Sequence, residues 1–421
     1  MFNYLYRPVD AAIFIYFRFF TGILLSQELI NGLIIGKFDE YIYPNFHFSY
    51  MWFPNIKPWP YWGMVFHYSL TIFSGFAVAF NYRYRFFSII LFCGYTLLFL
   101  FEQTEYINHS YLYCLISFWL AVLPLNENKN TYPIWMLYLI QFHIALAYFF
   151  GGIAKINMDW LNGTPMDIFL AERKNHPLSF IYLMKSSPLI FSYWGLIFDL
   201  LVVPALILKS TRTIAFLFAI IFHISNVMMF GLATFPWFSL VMTSMFFHPS
   251  WPRKISILKS FLPGKDERPS YIKPNKSLIC ILFFYVLIHL ALPLRHLFYP
   301  GVTSWTEEGH MFSWRMMLRD KKGVIKFFIK KKDQKRMIEV DPLLHISKRQ
   351  FDDIIGKPDL ILQFAHHLRD YYKRIWRVDV SVYASSRTSL NGRAKKEMIV
   401  PGTDLSKEKR TIFPYHWVRQ L

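Results

Sequence analysis

Residues 133–160 read PIWMLYLIQFHIALAYFFGGIAKINMDW. From 135 to 153 the run is apolar apart from Gln141 and His143. As a helix it is long enough to cross the roughly 30 Å of bilayer hydrocarbon. It ends on Lys155, with Gly151-Gly152 just before and Asn157-Met158-Asp159-Trp160 just after. A lysine at the edge of hydrocarbon is ordinarily an interfacial anchor, because its stem snorkels toward water. Glycines beside it let another backbone or a flat ligand come close. Burial disfavours a charged amine, so a lysine in such a place can also serve as a base. Both readings are open at this point.

The rest of the chain has the same character. Of its 421 residues 54% are hydrophobic and 20% aromatic, with 44 Phe, and mean hydropathy is +0.27. That is a polytopic membrane protein rather than a soluble one. Nine apolar stretches approach bilayer length: 11–33, 61–81, 86–102, 109–125, 133–155, 188–208, 213–232, 234–248 and 277–298. The eighth is short and broken by Pro236, so a re-entrant path is open to it. Arg18 inside the first run, with no small-residue cleavage site, argues against a cleaved signal peptide. Cys93, Cys114 and Cys280 fall inside spans as buried small residues and form no C-x-x-C. Neither a disulfide framework nor a metal site is expected from them, and no H-E-x-x-H is present.

Net charge is +19. Nine spans place Arg7, Arg83, Arg85, Lys129, Lys209, Arg212, Arg253, Lys254, Lys259, Lys265, Arg268, Lys273 and Lys276 on one side. Lys37, Lys57, Arg173, Lys174 and Lys185 lie on the other. The positive-inside rule makes the first side cytoplasmic. The partners expected are then the lipid bilayer and small molecules, with no nucleic acid.

Composition shifts at Tyr299. Residues 1–298 are expected to form a multi-span transmembrane domain, and residues 299–421 a cap outside the membrane. In the cap, 324–330 and 337–340 alternate like two strands of a hairpin. Residues 351–372 carry a helical face of Ile354, Leu360, Ile361, Phe364 and Leu368, with Pro358 interrupting its start. Residues 377–383 and 398–400 alternate again. The expected fold is an all-α polytopic membrane domain of about nine transmembrane helices with a small α+β C-terminal extramembrane domain. The loop 41–60, rich in Trp and Pro, reads as an interfacial lip.

Ionisable and polar groups inside spans are costly and are functional candidates by default. They are Arg18, Gln27, Glu28, His67, Asn108, His109, Ser110, Gln141, His143, Asp199, His223, Ser225, Asn226, His289 and His296. Arg18 and Glu28 are candidates for an ion pair inside the bundle.

Taken together the motifs resemble a known family. Residues 148–160 fit the form Y-F-x-x-G-x-x-K-x-x-x-D-W of the vitamin K-dependent γ-carboxylases. Asn108-His109-Ser110-Tyr111-Leu112-Tyr113 resembles that family's N-H-S-Y-L-Y stretch. Phe17-Arg18-Phe19, Gln27-Glu28, Phe222-His223 with Asn226, and Trp251-Pro252-Arg253-Lys254 follow in order. Leu292-Pro293 with His296, Trp305, and Phe312-Ser313-Trp314-Arg315-Met316-Met317 resemble the boundary with its lumenal part. The resemblance covers about 10–320. Beyond about 325 the chain differs from the longer C-terminal region of eukaryotic members, and the compact form looks like the bacterial branch, with its horizontally transferred transmembrane (HTTM) domain.

The resemblance implies an enzyme using reduced vitamin K (a naphthohydroquinone), O2 and CO2. In the family a lysine amine deprotonates the hydroquinone, which reacts with O2. The products are an epoxide and an alkoxide that removes a γ-proton from glutamate, and the carbanion captures CO2. By position Lys155 would be the base, with His109 and Asn108 orienting a reactive oxygen or stabilising its charge. Gly151, Gly152, His223, Asn226, His296, Trp305, Trp314 and Met316 would bind the quinone or substrate. A glutamate-containing peptide or protein is the implied partner. The alternatives are a quinol epoxidase without protein carboxylation and a non-catalytic quinone- or lipid-binding membrane protein. The implied location is a bacterial cytoplasmic membrane, with the N-terminus inside.

The loop charges carry a direct test. A reporter fused after Leu421 should behave as periplasmic or lumenal. Cytoplasmic behaviour would overturn the nine-span orientation.

Overall fold

The computed structural model describes the chain except for residues 1, 126–128, 174, 183, 263–274 and 333. Lys174, Lys265, Arg268 and Lys273, counted above for orientation, lie outside the described residues.

All nine apolar stretches are helical, in the order α1 (Ala12–Ile34), α2 (Tyr61–Ala79), α3 (Tyr84–Phe101), α4 (Asn108–Val122), α5 (Ile134–Lys155), α6 (Ser187–Ile207), α7 (Arg212–Phe230), α8 (Phe235–Ser244) and α9 (Lys276–Ala291). Among the described residues seven helices are long and apolar enough to cross a membrane. The exceptions are α4, with 15 residues, and α8, with 10. At 1.5 Å per residue they span only about 22 and 15 Å.

Both nevertheless join the two ends of the bundle. At one end β1 (Pro8–Asp10) pairs with β2 (Thr131–Pro133), and Arg253 meets Asp10 at 2.8 Å. At the other, Glu102 bonds Gln350 of the cap at 2.8 Å, and Asn31 Nδ2 donates to Thr234 Oγ1 at 2.9 Å. The chain therefore changes ends along α4 and again along α8. Pro236 does not break α8. It occupies the first turn, where its missing N–H is no loss. The non-helical residues before α8 include Leu232, which lines a cavity. Irregular backbone is tolerated at membrane depth in such a place.

The first two helices approach closely because both carry glycine at the crossing. A Cβ on Gly75 would overlap Ser26 Oγ and lie 2.7 Å from the Gly22 carbonyl oxygen, and Ser26 Oγ donates to Ile72 O at 2.7 Å. Arg18 does not pair with Glu28. Ten residues along one helix is about 15 Å, and Arg18 Nη1 instead donates to Asn81 Oδ1 at 2.7 Å and Leu125 O at 3.0 Å. Cys114 is buried, whereas Cys93 and Cys280 are exposed, so two of the three do not fill the interior as expected.

The cap is a four-stranded antiparallel sheet, β3 (Lys321–Lys331), β4 (Ile338–Val340), β5 (Val380–Leu390) and β6 (Lys396–Glu397), in the order β4-β3-β5-β6. The hairpin is as expected, with Phe327 opposite Val340. The expected helix is two: α10 (Lys348–Ile354) and α11 (Pro358–Trp376). Gly356 at φ 75° turns the chain between them, and Pro358 starts the second. Leu360, Ile361, Phe364 and Leu368 pack on Ile325, Phe327, Ile329 and Val382. Residues 398–400 make only the single bridge Ile399–Val418. The loop 41–60 is more than a lip. Trp52 and Trp59 are exposed, but Phe48 is fully buried in the cap core.

The α1–α2 crossing is testable. Gly75→Val puts methyl groups where Ser26 and Gly22 already lie, and overpacking of this kind costs about 1–3 kcal/mol. The purified variant should melt several degrees below the parent in detergent. An unchanged melting temperature would show that the crossing is loose.

Candidate active site

Lys155 closes α5, and the turn after it builds its surroundings. Asn157 caps the short helix Met158–Leu161, its Oδ1 accepting from Trp160 N at 3.1 Å. The indole is thereby turned back, its ring centroid 5.3 Å from Lys155 Nζ and its Nε1 donating to Ser192 O at 2.8 Å. Helical side chains lean toward the N-terminus. Lys155 accordingly runs back one turn, donating to Gly151 O at 3.3 Å and to Asp199 Oδ2 at 2.5 Å. Lys155 and Asp199 are 6% and 4% exposed, so each replaces the water the other has lost.

Asp199 is the acid of α6 and the partner that spacing alone does not identify. The nearer acid, Asp159, faces away. Arg393 of the cap grips it through both oxygens, one contact at 2.8 Å, and Asn391 Nδ2 donates to it at 2.8 Å. The Arg393 bonds hold the Asp159 carboxyl below its ordinary value. Lone acids in apolar spans need a cation, and that is the signal by which Asp199 could have been matched to Lys155.

The glycines serve packing rather than a flat ligand. A Cβ on Gly152 would lie 2.7 Å from Leu200 Cδ2, and one on Gly151 would lie 3.2 Å from Asp199 Oδ2. The first lets α6 against α5; the second leaves room for the carboxylate. Neither lines the cavity that Lys155 faces.

That cavity has a volume of about 450 Å³ and lies between α4, α5, α6, α7 and the segment 307–319. Of the expected residues it brings together Lys155, Asn108, His109, His223, Asn226 and Met316. Asn108 and His109 open α4. Asn108 Oδ1 accepts from Tyr106 OH at 3.0 Å, and its Nδ2 donates to Arg315 O at 3.3 Å. The His109 ring stacks on Phe235 at 5.0 Å. His223 meets Tyr148 OH through Nε2 at 2.6 Å, while its buried Nδ1 has no partner among the described residues.

Three expected binding residues are elsewhere. His296 Nδ1 donates to Pro293 O at 2.8 Å, and its backbone packs on Gly309. Trp305 lies in the cap core, its Nε1 donating to Arg419 O at 2.7 Å. Trp314 is buried in the bundle core against Tyr111. They hold the junction that carries the cavity roof.

The end of the cavity nearest the cap is charged. Glu307 accepts from Arg319 at 2.7 Å and Lys321 at 2.6 Å. Burial raises its carboxyl, but these two cations outweigh burial and leave it well below the ordinary range. Burial, then Arg319, keep His310 far below its usual value. It therefore stays neutral and accepts from Arg319 Nη1 at 2.7 Å. Asp359 accepts from Arg410 Nε and Nη2, both at 2.8 Å.

Two family models match the chain. The HTTM domain matches residues 6–251, and the lumenal domain of vitamin K-dependent gamma-carboxylase matches residues 274–421. No solved structure matches the chain. The second match runs through the tail beyond 325, where the motifs were least like the eukaryotic members, so the likeness extends past the membrane helices. With apolar spanning helices, a cap on one end and both matches in order, this multi-pass membrane protein belongs to the vitamin K-dependent gamma-carboxylase family.

Proposed function

We propose that the chain oxidises reduced vitamin K with O2 to the epoxide and uses the base so generated to add CO2 to the γ-carbon of glutamate. The observation that carries this is an amine, Lys155, on the wall of a buried cavity of about 450 Å³ shared with His109. Cavities of roughly 300–1,000 Å³ suit one small ligand, so a bicyclic hydroquinone head fits. Phe191, Trp194, Phe222 and Phe235 line it for a flat apolar ring. When bound, reduced vitamin K and O2 supply the strong base.

The residues of the chain do the rest. Lys155 takes the hydroquinone proton at Nζ, and its own proton passes to Asp199 Oδ2, 2.5 Å away. The base is then the pair, which holds one proton at rest and two after transfer. No hydrogen bond among the described residues occupies the His109 ring nitrogens, so an N–H there is free to bond an oxygen gaining negative charge. Asn108 acts as a positioning residue, tying the start of α4 to the loop at Arg315. His223 and Tyr148 form one wall, and Asn226 and Met316 complete it. The cap would face the periplasm of a bacterial cell, bringing a glutamate-containing peptide to the outer end of the cavity.

Lys155→Ala should lower epoxide formation about 10²–10⁴-fold, the usual weight of a general base, with quinone binding retained. A small amine added to that variant should restore part of the rate. Lys155→Arg should stay inactive, since a guanidinium keeps its proton. Asp199→Asn should slow the reaction without abolishing binding. Full activity in Lys155→Arg would show that the site needs charge and not a base. Epoxide without fixation of labelled CO2 would leave an oxygenase and remove the carboxylase.

A further inference from the structure

Charge around the cavity is matched almost everywhere. Of the Lys and Arg side chains on its wall, Lys155 meets Asp199, Arg319 meets Glu307 and Lys357 meets Asp353. The acids there are likewise engaged: Asp199 by Lys155, Glu307 by Arg319 and Lys321, Asp359 by Arg410. Arg315 is the exception. It lines the same cavity and has no carboxylate partner among the described residues. Its Nε is buried without any hydrogen bond. Burial and the nearby Arg319 lower the guanidinium to about 10, partly opposed by Glu307, which acts on it through space without an ion-pair contact, so it is charged at neutral pH.

A part-buried guanidinium with no ion-pair contact is costly to hold, and the loop that holds it is strained too. Phe312, Trp314 and Met317 have φ of 59°, 56° and 58°, a left-handed conformation that side chains other than glycine seldom adopt. Four bonds enforce it. Phe312 N donates to Tyr106 OH at 2.5 Å, Arg295 to Met311 O at 2.5 Å, Ser313 Oγ to Gly309 O at 2.6 Å, and Asn108 to Arg315 O at 3.3 Å. Strain that the surroundings over-determine clusters at ligand sites. Here it presents one unmatched cation to the chamber that holds Lys155 and His109.

We propose that Arg315 binds the side-chain carboxylate of the glutamate that is to be carboxylated. The assignment rests on the proposed function and adds to it the residue that selects glutamate. A guanidinium grips both carboxylate oxygens with two parallel bonds. The γ-carbon is bonded to that carboxyl carbon. When the base generated from the quinol takes the γ-proton and the C–H electron pair delocalises into the carboxylate, the charge grows on oxygens that Arg315 already holds. The new C–C bond to CO2 then forms from the γ-carbon.

The test uses the full-length protein in detergent and two blocked peptides. In one the glutamate side chain is the only carboxylate; the other has glutamine instead. Calorimetry should show the wild type binding the glutamyl peptide about tenfold or more tighter, as a charge-assisted bidentate bond implies. Arg315→Met should bring the ratio near one, with glutamine-peptide affinity and melting temperature unchanged. Should Arg315→Met fail to fold, Arg315→Lys reads the same ratio, which must fall severalfold because an ammonium lacks the planar fork. An undiminished ratio in either folded variant overturns the proposal. So does a wild type without preference, or one in which bicarbonate displaces the glutamyl peptide at equal concentration. The readout needs no turnover. A wild type that prefers glutamate but makes no epoxide removes the proposed function and leaves this assignment standing.

Discussion

The contact between Lys155 and Asp199 sets the terms for much of the bundle. Neither charge is tolerable alone at the position it occupies, since an isolated buried ion carries a penalty of several kcal/mol. The two helices that carry them must therefore meet in one register. Gly152 lets Leu200 approach and Gly151 makes room for the carboxylate, whereas a Cβ on Gly195 would meet Trp160 and the lysine stem only at ordinary contact, 3.5 and 3.8 Å. Small residues at a helix crossing are how membrane proteins pack closely without a hydrophobic driving force. Here the same small residues also shape the charged pair.

The cap completes the chamber rather than merely sitting on the helices. Glu102, at the end of α3, is buried among Gln350, His47 and the Phe48 backbone. Arg349 reaches Glu105 at 2.7 Å, and Arg393 reaches Asp159 just beyond Lys155. Each tie joins a loop between spans to the sheet domain. The roof, 307–319, is fixed from both sides: Asn108 and Tyr106 hold it from the membrane helices, and Lys321 bonds Trp305 O and Glu307 from the first cap strand. An apolar chamber with a charged end beneath the cap follows from this division of labour.

Much of the architecture was legible in the chain alone. Long apolar runs cannot leave their backbone unpaired in lipid, so they are helices, and a two-residue period in the tail marked β3, β4 and the start of β5, though not a strand at 398–400. The order Asn108-His109, Lys155, His223 with Asn226, and Met316 marked residues that do share one cavity. His296, Trp305 and Trp314 belong to the same junction but point into packing. Motif order reports which segments meet, not which side chains face the space between them.

What the sequence determined by itself is the set of elements, because apolar length and periodicity are local properties summed over neighbouring residues. Partnership was decided only by the tertiary structure. Asp199 rather than Asp159 meets Lys155, Arg18 reaches Asn81 and not Glu28, and Arg315 is left without an ion pair among the described residues, while the stretch from Thr234 to Arg253 changes ends of the bundle although its helix α8 has only 10 residues. These outcomes depend on helix rotation and on contacts between residues tens to hundreds of positions apart. A buried charge is matched by whatever the fold brings within about 4 Å, and no pattern along the chain encodes that distance.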